Sequence, residues 1–207
     1  MNQFSDDDIH KIVERVVSQT LGGQSVAATP AVAASAPAPS SPVVPEPTSI
    51  KTASIVAIGT DHGGVDLKNT LIKELKDSGF EVIDCGTNST EPVDYPDIAR
   101  AVAELVAAGK AWRGVVIDGA GIGSCMAANK VPGIRAAMCY DYATAVNSRE
   151  HNNANVLTLG AGLLGVNLAR QILKTWLSTE YAGGRHEKRV QKIMALEKLI
   201  SRDGTEK

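Results

Sequence analysis

From residue 54 onward the apolar residues follow two alternating rhythms. Five short runs rich in β-branched side chains predict strands: SIVAIGT (54–60), EVIDCG (81–86), RGVVIDG (113–119), IRAAMCY (134–140) and NVLTLGA (155–161). Between and after them, apolar residues recur at three- and four-residue spacing and predict helices. These are VDLKNTLIKELKDSG (65–79), YPDIARAVAELVAAG (95–109), a helix opened by GIGSCMAANK, YATAVNSREHN (142–152) and VNLARQILKTWLSTE (166–180). A last helix, from about His186 to Ser201, carries Val190, Ile193, Met194, Leu196, Leu199 and Ile200, a stripe that could reach a second subunit. Strand and helix in regular alternation predict an α/β fold, a parallel sheet of five strands covered on both faces.

The first fifty residues follow another pattern. Ile9, Ile12, Val13, Val16, Val17 and Leu21 form one apolar stripe on a short helix over 5–21, with Ser5 as cap and Asp6, Asp7 and Asp8 at its positive end. Residues 23–50 are a tract of Ala, Pro and Ser too poor in large apolar side chains to bury a core, and predict a disordered, flexible linker. The expected organisation is therefore an interaction helix over 1–22, a linker over 23–50 and a globular domain over 51–207. A tethered amphipathic helix must cover its stripe against its own domain, a sister subunit or another protein. The arrangement resembles the encapsulation peptides that carry enzymes into bacterial microcompartments, which implies shell or cargo proteins as partners.

Composition removes several function classes. At a formal net charge of -2, the 207-residue chain has no basic field for nucleic acid, and no apolar run long enough to span a membrane. Cys85, Cys125 and Cys139 are odd in number and lack CxxC spacing, which predicts reduced cytosolic thiols and neither a disulfide framework nor a zinc site.

In an open parallel sheet, ligands bind beyond the carboxyl ends of the strands. Polar residues are expected to collect there: GTDHGG after the first strand, DGAGIGSC after the third, YDY after the fourth, and the run REHNNAN that finishes the fourth helix. The glycine loop 119–123 offers free amides before a helix, suited to a phosphate or a developing oxyanion. It lacks the Lys and Ser/Thr of a phosphate-binding P-loop, and it lacks the full dinucleotide fingerprint.

Five segments, GTDHGGVDLK, VIDCGTNSTEPVDYPDIA, GAGIGSCMAANKVPGIRAA, SREHNNANVLTLGA and STEYAGGRHEKRV, resemble the ribose-5-phosphate isomerase B family, which also contains the galactose-6-phosphate isomerase subunits. The resemblance implies a Rossmann-like three-layer sandwich, a homodimer or homotetramer with sites built between subunits, no metal or cofactor, and aldose–ketose isomerisation of a phosphorylated sugar through an enediolate. It implies Asp61 and His62 at the sugar and phosphate, Tyr95 against substrate, and His151 as the ring-opening acid and base. Asn152 and the amides of Gly119, Gly121 and Gly123 would hold the enediolate. Arg185 and Arg189, one helical turn apart, would clamp the phosphate. His186 beside them is either a contact or surface.

Two positions depart from the family pattern, which has a cysteine, the C2 base, at Asp118 and a threonine at Ala120; without that threonine hydroxyl, ring opening is left to His151 and Asp61. Asp118 either replaces the thiolate as the base or only orders the loop, leaving a weak or inactive homologue that binds sugar phosphate or completes a hetero-oligomer. Cys125, behind the loop, is a further candidate thiol, and Cys85 and Cys139 read as structural. The expected function is a ribose 5-phosphate isomerase with Asp118 as base, working in the cytoplasm within a microcompartment lumen. A purely structural cargo scaffold would have no need for Asp61, His62, His151, Arg185 and Arg189.

Overall fold

A computed structural model describes residues 55–202. The expected helix over 5–21 and the linker over 23–50 lie outside the described residues. Eleven elements alternate along the chain: β1 (Ile55–Thr60), α1 (Val65–Asp77), β2 (Glu81–Asp84), α2 (Tyr95–Ala107), β3 (Arg113–Asp118), α3 (Ile122–Ala128), β4 (Ala136–Met138), α4 (Tyr142–Glu150), β5 (Val156–Gly160), α5 (Val166–Ser178) and α6 (Glu187–Arg202). Single 3-10 turns occupy His62–Gly64 and Gly184–His186. The sheet is five-stranded in the order β2-β1-β3-β5-β4, and every pairing is parallel. This is the Rossmann-like sandwich that the alternation predicts.

Alternate residues of the central strands feed two cores. Val56, Ile58, Val115, Ile117, Leu157 and Leu159 pack under α1, α4 and α5 with Trp176. Ala57, Val116 and Val156 pack under α2 and α3. Because both faces are covered, β3 and β5 are buried along their whole length, and the middle of β3 is continuously apolar through Val115, Val116 and Ile117. Helices α1 and α2 each end at a glycine in the left-handed region, Gly79 (φ 88°) and Gly109 (φ 68°), which removes the Cβ penalty at the turn. The strand expected over 134–140 is regular only through Ala136–Met138, and Asn129, at the end of α3, bonds both the amide and the carbonyl of Ala136.

Two buried cations tie the layers together. Lys68 on α1 is fully buried, and its ammonium donates to both carboxylate oxygens of Asp84 (2.8 and 2.7 Å), to Thr87 O (3.0 Å) and to Asn88 Oδ1 (2.7 Å). It thereby fixes the connection that carries the chain from β2 toward Tyr95. Arg113, between the rings of Trp112 and Trp176, donates to the carbonyls of Trp176 (2.8 Å) and Leu177 (3.0 Å) at the end of α5. Burial, then the nearby Arg149, lower its pKa to about 9 against the opposing pull of Glu180.

Lys68→Met is expected to lower unfolding free energy by about 2–3 kcal/mol, since it strips several charged hydrogen bonds while leaving the partly exposed Asp84 able to turn to water. Urea denaturation measures this, and an unchanged midpoint would contradict it.

Candidate active site

At the carboxyl end of β1, Asp61 is 8 % exposed and caps the first 3-10 turn, with Oδ1 accepting from Gly63 N at 2.9 Å. Its own amide donates to Ile117 O (3.3 Å), which holds it against the end of β3. No hydrogen bond reaches its Oδ2 among the described residues. His62 follows, and its Nδ1 accepts from Val93 N at 3.5 Å. Tyr95 opens α2, and its ring lies over Gly123, where an added Cβ would come within 2.6 Å of ring carbons. Gly123 is therefore what allows the phenol to approach the loop.

Asp118 ends β3 at 4 % exposure. Its Oδ1 accepts from the amides of Ala120 (2.8 Å) and Gly121, and its Oδ2 accepts from Ser124 N (2.9 Å). Gly121 makes this possible by turning into the left-handed region (φ 79°), and a Cβ there would lie 2.9 Å from the backbone of Leu159. Thr158 Oγ1 holds the Gly121 carbonyl from the other side (2.8 Å). Burial pushes the Asp118 carboxyl up, but the Ser124 hydroxyl and the amides of Gly121, Ser124 and Ala120 outweigh it and leave the pKa below the ordinary value. The Ser124 hydroxyl, buried beside this carboxylate, is not aligned for a hydrogen bond of ordinary geometry. Sequence reasoning passed over Ser124, whose only signal is a polar residue on the buried side of a seven-residue helix. The loop-ordering account of Asp118 fits this arrangement; the base account meets a carboxylate already engaged at both oxygens.

Burial raises the pKa of Cys85 and Cys125, and raises that of Cys139 to about 11. Among the described residues no cluster of His, Cys, Asp and Glu could hold a metal, and no helix is long and apolar enough to cross a membrane.

The remaining expected residues lie elsewhere. Helix α4 runs back antiparallel to the strands, so His151 at its end sits by the amino end of the sheet, where Asn155 leads into β5. The expectation that REHNNAN gathers with the glycine loop at the carboxyl ends is corrected by that direction of travel. His151 Nδ1 pairs with Asn147 Nδ2 (2.9 Å), and Asn152 Nδ2 donates to the carbonyl and side chain of Asn147 (both 3.2 Å). Asn147 was missed in the sequence, although its four-residue offset from His151 within one helix was a usable signal. The ring of His186 stacks on that of His151 with centroids 4.2 Å apart, and Arg185 Nε donates to His186 Nε2 at 3.2 Å. Partial burial and then His151, Arg185 and Arg189 hold His186 below the ordinary imidazole pKa, Glu150 opposing them. Arg149 fixes the bend itself, donating to Asn153 Oδ1 (2.9 Å) and Ala154 O (2.5 Å), and Asn153 takes a positive φ of 48°.

The expected site residues thus fall into two groups on one chain. Asp61, His62, Tyr95, Asp118, Gly119, Gly121 and Gly123 stand at the carboxyl end of the sheet. His151, Asn152 and Arg185 stand at the amino end, with Arg189 on the first turn of α6. The strands between, five or six residues at about 3.3 Å each, keep the two groups roughly 15–20 Å apart.

A parallel three-layer sandwich with an amide-rich loop at one end and an imidazole–guanidinium group at the other defines a class of α/β proteins suited to holding a small anionic ligand. Residues 56–193 match the Ribose/Galactose Isomerase family. Ribose-5-phosphate isomerase B of Escherichia coli is 46 % identical over 142 residues, covering 69 % of this chain and 95 % of its own. The D-erythrulose-4-phosphate isomerase of Pectobacterium atrosepticum is 44 % identical over 139 residues, covering 67 % and 91 %. The solved ribose-5-phosphate isomerase B of Clostridium thermocellum superposes with a TM-score of 0.70 at 52 % identity, covering 70 % of this chain and 99 % of its own. The chain belongs to the Ribose/Galactose Isomerase family and is an aldose–ketose isomerase.

The depressed carboxyl of Asp118 gives a signed expectation. Its stabilisation is fully present above the unfolded carboxyl pKa of about 3.9 and is lost as pH falls through the lower folded value. At pH 7 Asp118→Asn should cost about 1–3 kcal/mol, and the gap to the unaltered protein should close toward pH 3. A gap that widens in acid would contradict this.

Proposed function

We propose that this protein interconverts ribose 5-phosphate and ribulose 5-phosphate in a site shared by two copies of the chain. The observation that carries this reading is the division of the expected residues between opposite ends of one sheet. A second copy related to the first by a two-fold axis would bring His151, Asn152, Arg185 and Arg189 of each chain to the loop of the other. Surface chemistry supports a second copy. Ile122 and Met126 on α3, Tyr140, and Tyr142 on α4 are large apolar side chains left exposed. A groove of about 630 Å³ runs along the free edge of β4 between α4 and Ile193 of α6.

In such a site His151 opens the sugar ring by proton transfer, and Arg185 and Arg189 hold the phosphate through their guanidinium forks. A carboxylate at the strand ends, Asp61 or Asp118, takes the C2 proton and returns it to C1, while loop amides and Asn152 stabilise the enediolate oxygen. Relatives named for five-carbon and four-carbon sugar phosphates support the substrate class. A second reading, a partner subunit that binds sugar phosphate without turning it over, draws on one observation: Asp118 stands where the family has its cysteine base and is already saturated with amides.

The test is isomerisation of ribose 5-phosphate by co-expressed variants. Asp61→Asn and His151→Ala, each inactive alone, should regain about a quarter of full activity when mixed, because half the dimers then hold one intact site of two. No regain would reject the shared site.

The apolar stripe over 5–21 and the tract that tethers it support an addressing role, with packaging into a microcompartment lumen through shell or cargo helices. Removing residues 1–50 should leave kinetics within about twofold and abolish co-sedimentation with shell proteins, the cost of an untethered helix partner being confined to that contact. Loss of folding on truncation would instead favour a helix docked on its own domain.

A further inference from the structure

We infer that Asp61, and not Asp118, is the carboxylate that moves the proton between C2 and C1. The inference rests on the isomerase reading and deepens it.

The carboxyl end of the sheet offers five groups to weigh as the acceptor of a proton from carbon. Asp118 has both oxygens committed: Oδ1 to the amides of Ala120 and Gly121, Oδ2 to that of Ser124. To act as a base it would have to abandon the loop it holds. His62 accepts the Val93 amide at Nδ1. In the neutral ring its proton then sits on Nε2, which makes the outer nitrogen a donor suited to an oxyanion or phosphate oxygen. Tyr95 lies over Gly123 and offers a phenolic hydroxyl, suited to donating to a ligand oxygen. Cys125 has its thiol engaged with Ala136 O at 3.4 Å, and burial raises its pKa.

Asp61 differs from all of these. One oxygen is anchored by Gly63 N at 2.9 Å, and the backbone is anchored to the end of β3 through Ile117 O, so the side chain is held still. The second oxygen has no hydrogen-bond partner among the described residues. A carboxylate gripped at one oxygen and open at the other, beside the amide loop, has the geometry that carbon-acid proton transfer requires.

In the step assigned to it, Asp61 Oδ2 takes the C2 hydrogen. The C–H electron pair becomes the C1–C2 double bond, and the C1 carbonyl pair moves onto O1. The O2 proton passes to O1, the O2 carbonyl forms, and the carboxylic acid returns its proton to C1. No oxidant, metal or cofactor enters the balance.

Asp61→Asn and Asp61→Ser both keep an oxygen that can accept from Gly63 N, so the cap survives while the base is lost. The full-length protein is incubated in deuterium oxide with ribose 5-phosphate and with D-erythrose 4-phosphate. The latter has its C4 hydroxyl esterified, forms no furanose ring and needs no ring opening. Either Asp61 variant should lower deuterium entry into both sugars by about 100-fold or more, with the loss in kcat and little change in KM. Asp118→Asn should lower it by less. A loss below about tenfold in the Asp61 variants, or a loss in Asp118→Asn as large as theirs, overturns the assignment. Absence of deuterium entry with the unaltered chain overturns the isomerase reading itself, a result distinct from either.

Discussion

The loop after β3 is organised by the enclosure of one carboxylate in backbone amides. Asp118 ends a strand that is buried along its whole length, where an ionised side chain is costly unless its lone pairs are used. The amides of Ala120, Gly121 and Ser124 use them. Hydrogen bonds to a charged acceptor contribute about 1.5–3 kcal/mol each in favourable cases, enough to dictate the loop's path. The left-handed turn at Gly121, the start of α3 and the seat of Tyr95 over Gly123 all follow from that path.

The second governing constraint is directional. Parallel strands require every helix to return the chain to the opposite end of the sheet, so whatever terminates a helix lies far from whatever terminates a strand. His151 terminates α4 and Asp118 terminates β3, and no rearrangement of side chains brings them together within one chain. The stacking of His186 on His151, with Arg185 bonded to His186, shows that the amino-end group is assembled as a unit in its own right. On the proposed reading, a site made from these two groups ties ligand handling to association of chains, since the guanidinium pair stands at one end of the sheet and the carboxylates with the loop amides at the other.

Much of the fold was legible because buried parallel strands write themselves as short β-branched runs and their helices as period-3.6 stripes. All five strands and six helices of the described region fall where those patterns sit, and the glycines at 79 and 109 mark the helix ends. β4 was overread, since Ile134, Cys139 and Tyr140 look like strand residues whether or not a neighbour pairs with them. Lys68 and Arg113 were not legible as core: a charged residue reads as surface until four acceptors or two tryptophans surround it. In the site, residue identities were accessible from spacing and resemblance, but two things were not. Which end of the sheet a loop occupies depends on topology, and what Asp118 touches depends on loop conformation.

A cysteine and an aspartate at the end of β3 would stand in different relations to the same amides. A thiol is a weak acceptor and leaves the amides turned toward whatever anion arrives; a carboxylate offers two oxygens with several lone-pair directions and satisfies them itself. The exchange therefore changes more than the pKa of one candidate base. It withdraws part of the loop's capacity to bind an oxyanion and spends it on holding the loop rigid. What remains open to a ligand is the amides that the carboxylate does not reach, Gly119 and Gly123 among them, together with Asp61, which abuts the same strand end and keeps one oxygen unengaged. The proposal for Asp61 amounts to a division of labour between the two carboxylates, one for architecture and one for proton transfer.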